Sequence, residues 1–138
     1  MGSATIKWVT KGQFIATDSS KHSVVLSTQD AENGIGMKPS DLLLAALGGC
    51  TAVDVVNILL KKRQPLTGLE IQVSGEQDAD PPWTFRKIHV VYTLRGRGLA
   101  EKAVADAIRL SEEKYCSVKS TLEKAVPISV EYHIVQEE

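Results

Sequence analysis

Apolar and polar residues follow two rhythms along this chain, and one stretch follows neither. The period-two rhythm comes first. Ile6 to Val9, Gln13 to Thr17 and His22 to Ser27 read as short strands. Lys11-Gly12 and Asp18-Ser19-Ser20-Lys21 separate them, and Gly, Asp and Ser are the residues that close hairpins, so the N-terminal third is a three-stranded meander. Gln29 to Met37 is a polar loop. Its Gly34 and Gly36 lack the rest of a phosphate-cradling fingerprint, so it reads as a connection. Farther on, Leu69, Ile71 and Val73 alternate with Glu70, Gln72 and Ser74 as a half-buried strand. Asp78 to Pro82 turns it into Phe85 to Leu94, and Ile128 to Val135 forms a last strand after Pro127. The helical rhythm begins at Leu99, with Val104, Ala107, Ile108 and Leu110 to Tyr115 on one side. It shifts near Tyr115-Cys116-Ser117, and Val118, Leu122 and Val126 predict a short further helix from Ser117.

The exceptional stretch is Lys38 to Lys62. Pro39 suits a first helical position, Asp41 opposes the positive end of the helix dipole, and Lys61, Lys62 and Arg63 complement its negative end before Pro65. Between Leu42 and Leu60 the only polar side chains are Thr51, Asp54 and Asn57, with the thiol of Cys50. A helix apolar nearly all round is buried on nearly all sides. Its length approaches a bilayer span, but Asp54, Asn57 and the Gly48-Gly49 pair suit lipid poorly and amphipathic strands flank it, so no membrane is expected. One chain has trouble covering such a helix, and a dimer core is the expected remedy. Cys50, Asp54, Asn57 and Lys61 fall on one face at 3.6 residues per turn, a wettable seam led by a thiol. The predicted order is βββ–α–ββ–αα–β. Strands come in runs, so the class is α+β, as one domain over residues 1–138.

Composition narrows the function. The chain has 138 residues and a formal net charge of −1. No basic run or aromatic-interleaved patch appears, so no nucleic-acid partner is expected. Two cysteines far apart, with no signal peptide, indicate a reducing compartment such as the cytoplasm and functional or structural thiols.

Cys50 and Cys116 therefore carry the candidate chemistry, although an inert core thiol is the plain alternative for Cys50. Cys116 falls at or just before a helix start, where backbone N–H groups favour a thiolate. Gly48-Gly49 leaves room beside Cys50 for another backbone or a substrate. Asp54, one turn on, would raise a nearby thiol pKa unless Lys61 or Arg63 paired with it. Ser117 and Ser120 read as caps. The three histidines, His22, His89 and His133, lie in separate strands without metal-ligand spacing, so no metal is expected. Hydrolytic or acyl chemistry would need one of them beside Cys50.

The run Lys38-Pro39-Ser40-Asp41-Leu42-Leu43-Leu44-Ala45-Ala46-Leu47-Gly48-Gly49-Cys50-Thr51-Ala52 resembles the signature of the OsmC/Ohr family, nearest its Gly-Gly-Cys-Thr-Ala branch. Glu113-Lys114-Tyr115-Cys116-Ser117-Val118 resembles that family's second cysteine segment. The resemblance implies an OsmC-like fold and an intertwined homodimer, its long central helices wrapped by sheets from both chains. It implies a cysteine-based peroxidase that reduces organic hydroperoxides to alcohols, with Cys50 the peroxidatic nucleophile and Cys116 the resolving thiol. The disulfide would then be reduced by an external dithiol such as a lipoyl group, with no cofactor. Family enzymes hold the thiolate with an N-terminal arginine paired to a glutamate near the helix start. Here no arginine precedes Arg63, the N-terminal cations are Lys7, Lys11, Lys21 and Lys38, and Ser40 occupies the glutamate's place beside Asp41. Ser40, Asp41 and Asp54 are thus the supporting candidates. The missing arginine points to a second reading, a non-catalytic redox-sensing or small-molecule-binding dimer on the same scaffold.

Overall fold

The computed structural model describes residues 2–138. The chain divides into two compact units, one ending at Leu43 and one running Leu44–Glu138.

The first unit is the meander. Strands β1 (Ala4–Thr10), β2 (Gln13–Asp18) and β3 (Ser23–Ser27) pair antiparallel in the order β1-β2-β3. Trp8 faces Phe14, and Phe14 faces Leu26. The second turn is held by Asp18, whose carboxylate accepts the backbone N–H groups of Ser20 and His22, each at 3.0 Å. Every residue of β1 is exposed, Trp8 at 68% and Ile6 at 57%. Met37 adds a parallel bridge to Leu26 just before the helix. Gly36 is needed there, because a Cβ would sit 2.8 Å from the Val25 carbonyl oxygen.

The second unit contains most of helix α1 (Pro39–Lys61), whose first turn belongs to the first unit. Strands β4 (Leu66–Gln77) and β5 (Phe85–Gly96) form an antiparallel hairpin, and β6 (Ile128–Gln136) lies parallel to β5, which is central. Alternation puts Ile88, Val90, Tyr92 and Leu94 of β5 into the core. They meet Leu47, Val55 and Leu59 of α1, and Ala103, Val104, Ala107 and Ile108 of helix α2 (Glu101–Leu110). A π-helical turn (Ser111–Tyr115) and helix α3 (Ser117–Leu122) follow.

The order is the α+β order expected from the sequence, and the differences lie at boundaries. Helix α1 stops at Lys61 rather than Arg63, which takes a positive φ of 56°. Helix α2 starts at Glu101 rather than Leu99, because Leu99 is spent on the core and its N–H is bonded to Gln136 Oε1 at 3.0 Å. Within the single chain, α1 is buried along one stripe, Leu47-Thr51-Val55-Leu59. Val53 and Leu60 on its other faces are 61% and 56% exposed. By length and composition α1 could cross a membrane, with a mean hydropathy of 2.0. The Gly48-Gly49 pair divides its work. Gly48 lies against β4, where a Cβ would come 3.1 Å from Val73, and Gly49 meets nothing within 4 Å.

Candidate functional site: two thiols and a carboxylate

The π turn is the device that delivers Cys116. Its loop closes when the Cys116 N–H donates to the Ser111 carbonyl at 2.8 Å, five residues back, so one extra residue enters the turn. The chain then straightens at Cys116 (φ −80°, ψ 102°), and the next helix begins. Cys116 itself caps that helix, its Sγ accepting the Lys119 N–H at 3.4 Å. The cap is therefore the sulfur, and not Ser117 or Ser120.

Cys50 arrives from the middle of α1. Its Sγ, the Cys116 Sγ and an Asp54 carboxylate oxygen all lie within 4.8 Å of one another. Cys116 is buried, 2% exposed, and Cys50 is half-buried. Asp54 is positioned by Ser111, a fully buried serine whose hydroxyl donates to Oδ2 at 2.9 Å. The sequence suggested Lys61 or Arg63 as the partner of Asp54. The partner is this hydroxyl. Asp54, Asn57 and Lys61, the seam seen in the sequence, line one wall of an open cleft of about 390 Å³. Ile58, Lys62, Leu110 and Tyr115 complete it.

Two further buried polar groups stand out in this unit, and spacing gave no sign of either. The Tyr92 hydroxyl comes up from β5 and is fully buried, with no hydrogen-bond partner among the described residues. Burial pushes it up to about 12. The adjacent Thr51 hydroxyl opposes this, and the charges of Glu112, Cys116 and Asp54 add to it. The Thr51 hydroxyl itself donates to carbonyls in its own helix, those of Gly48 at 3.1 Å and Leu47 at 3.3 Å. Glu112, in the π turn, has a buried Oε1 without a partner among the described residues, and burial raises its carboxyl above the usual range. Tyr92 reads in the sequence as one more apolar position of an alternating strand, and Glu112 as one more charge on an amphipathic helix.

The electrostatics run against one expectation. Backbone N–H groups at a helix start were expected to favour a Cys116 thiolate. The Lys119 N–H does act in that direction, but burial and the neighbouring Cys50 thiol outweigh it and push Cys116 up to about 11. Cys116 is therefore a protonated thiol at neutral pH.

The remaining candidates sit elsewhere. Ser40 and Asp41 occupy the first turn of α1, roughly two and a half turns before Cys50 along the helix. The sequence read His89 and His133 as unrelated strand residues. The parallel pairing of β5 and β6 brings His89 to Glu131 at 2.7 Å and to the Ser129 hydroxyl at 2.6 Å, and His133 reaches the same carboxylate from two residues along β6 at 3.1 Å. Neither is offered to the thiols as a base. The sulfur cluster holds two nucleophile candidates and a carboxylate, a set suited to disulfide exchange or to ligation of a soft cation.

Comparison with known proteins places this geometry in a family. The OsmC-like protein profile matches residues 30–131. The Escherichia coli K12 protein YhfA is 38% identical over 132 residues, covering 96% of this chain and 97% of its own. A crystal structure of a hypothetical protein from Aquifex aeolicus superposes with a TM-score of 0.87 at 27% identity, over 100% of this chain and 98% of that one. The structure of an organic hydroperoxide resistance protein OsmC from Legionella pneumophila gives a TM-score of 0.63 at 14% identity, over 94% and 96%. The chain belongs to the OsmC-like protein family.

Proposed function

We propose that this protein is a thiol-dependent peroxidase that reduces organic hydroperoxides to alcohols, in a reducing compartment such as the cytoplasm. The observation that carries the proposal is the approach of the Cys50 and Cys116 sulfurs, from elements far apart in sequence, to within 4.8 Å. The similarity in fold to the Legionella organic hydroperoxide resistance protein agrees with it. In the first step the Cys50 thiolate attacks the outer peroxide oxygen, the O–O bond breaks, and the alcohol leaves with a proton. Cys50 is left as a sulfenic acid. In the second, Cys116 displaces the hydroxyl, which departs as water with the Cys116 proton, and a disulfide forms. Cys116 attacks as the thiolate, and the proton it sheds is the one the departing hydroxyl takes up. An external dithiol, such as a lipoyl group, returns both cysteines to thiols. The cleft that Asp54 lines has an apolar wall of Ile58 and Leu110, which favours an organic peroxide over hydrogen peroxide.

We also propose that the working form is a homodimer whose partner covers the exposed apolar faces of α1. Those faces carry Val53 and Leu60, on a helix whose polar seam and sheet-packed stripe suit a protein partner better than lipid.

One observation favours a second reading. The Asp54 carboxylate lies beside the thiols, and a carboxylate does not stabilise a thiolate. On this reading the protein is a redox-sensing or small-molecule-binding dimer. Turnover separates the two. With a dithiol present, a peroxidase consumes many equivalents of organic hydroperoxide and loses this in Cys50→Ser. A sensor stops after one disulfide per chain.

A further inference from the structure

We propose that Cys50, Cys116 and Asp54 together form a binding site for a soft divalent cation, zinc above all, with three protein ligands and one open position. The inference concerns the same sulfurs but does not depend on peroxidase activity. Its first support is the donor set. Two sulfurs and one carboxylate oxygen lie within 4.8 Å of one another. Zinc bonds of about 2.3 Å to sulfur and 2.0–2.2 Å to oxygen place tetrahedral donors roughly 3.5–4 Å apart, so closing the site needs shifts of about an ångström. Thiolates select zinc over calcium or magnesium, and the hard carboxylate favours a divalent ion over copper(I).

The second support is the surround. Two of the three ligands, Asp54 and Cys116, are already fixed by an outer hydrogen bond, the arrangement that orients metal ligands. The Ser111 hydroxyl donates to Asp54 Oδ2 at 2.9 Å, and the Lys119 N–H donates to the Cys116 sulfur at 3.4 Å. The third support is unmet polar groups. Glu112, next in sequence to the Ser111 that bonds Asp54, has a buried Oε1 without a hydrogen-bond partner among the described residues, and the buried Tyr92 hydroxyl likewise has none. Buried polar atoms without protein partners are what a bound ion with its own water would explain. Asp54 also lines an open cleft of about 390 Å³, so this ligand is reachable from solvent.

Binding forms two metal–sulfur bonds and one metal–oxygen bond, and any thiol protons still present pass to solvent. No electrons move. A disulfide between the same cysteines removes two ligands, so cation binding and oxidation exclude one another. A bound zinc would shield the thiols until peroxide or a chelator released it.

The test is cobalt titration of the reduced, metal-free protein without oxygen. Cobalt bound by thiolates gives a strong near-ultraviolet charge-transfer band. That band is expected to saturate at one ion per chain and to vanish on adding zinc. Wild-type protein first oxidised to its disulfide gives no band, an arm that needs no substitution. Cys50→Ser and Cys116→Ser lose it, Asp54→Asn weakens cobalt affinity at least about tenfold, and Ser111→Ala weakens it about ten- to a hundredfold. The His89→Ala, His133→Ala double variant is unchanged. No band in the reduced protein overturns the proposal. So does a band whose affinity is untouched by Asp54→Asn, or cobalt binding that disappears with the histidines. Peroxide turnover of the metal-free protein is measured separately, so either proposal can fail without the other.

Discussion

Cys116 is held protonated by its surroundings, and this has a consequence for alkaline stability. Its thiol is raised to about 11 in the fold against an ordinary value of 9. A group raised in this way contributes stability that is complete below its unfolded pKa and is lost as pH rises through the folded one. Denaturant melts between pH 8 and pH 11 are therefore expected to show stability falling, with a shallower fall in Cys116→Ser. Serine keeps the cap to Lys119 but does not ionise in this range. Unchanged pH dependence in Cys116→Ser would contradict the burial argument. Tyr92 adds to the decline from about 10 upward, for the same reason. Its hydroxyl has no partner among the described residues, so Tyr92→Phe removes an uncompensated polar group. That variant is expected to be at least as stable as the parent, by up to about 1–2 kcal/mol, in chemical denaturation. At this scale the sequence showed Cys50, Asp54, Asn57 and Lys61 as one seam, because helical spacing fixes which residues share a face. It hid Ser111, Tyr92 and Glu112, which approach the seam from other elements through tertiary packing.

The two elements that matter most behave differently under substitution. Helix α1 is anchored by one stripe, and Leu47 within it is completely buried. Leu47→Ala is expected to cost about 2–5 kcal/mol in a denaturant melt. The π turn depends on a polar contact instead. Ser111 is completely buried and its hydroxyl is bonded to Asp54. Ser111→Ala leaves that carboxylate short of a partner and is expected to cost about 1–3 kcal/mol by the same measurement. A loss below the error of the melt would remove Ser111 from the positioning of Asp54. The strands and α1 were legible because period two, Pro39, Pro65 and the turn residues mark them locally. The break near Cys116 was visible as a change of rhythm. Its form was not, because a π turn differs from an α turn by one residue and one hydrogen bond, Cys116 to Ser111.

For the whole molecule, the question is what covers the apolar faces of α1. A long helix with mean hydropathy 2.0 exposes Val53 and Leu60 when the chain stands alone. Light scattering with size exclusion is expected to give the mass of two chains, and Val53→Asp with Leu60→Asp is expected to give monomer or aggregate. A wild-type monomer at micromolar concentration would contradict the dimer. The α+β order came through from pattern alone, whereas the meeting of two thiols distant in sequence depended on the resemblance and then on the fold. The chemistry comes down to whether that meeting is used. The most direct measurement is the consumption of an organic hydroperoxide such as tert-butyl hydroperoxide by the reduced protein with excess dithiol, with thiol mapping by mass spectrometry. The expected result is repeated turnover, a Cys50–Cys116 disulfide trapped when the dithiol is withheld, and loss of at least about a thousandfold in rate in Cys50→Ser, since the nucleophile is gone. Thiols that stay reduced, or a Cys50→Ser variant that turns over at the parent's rate, would contradict it.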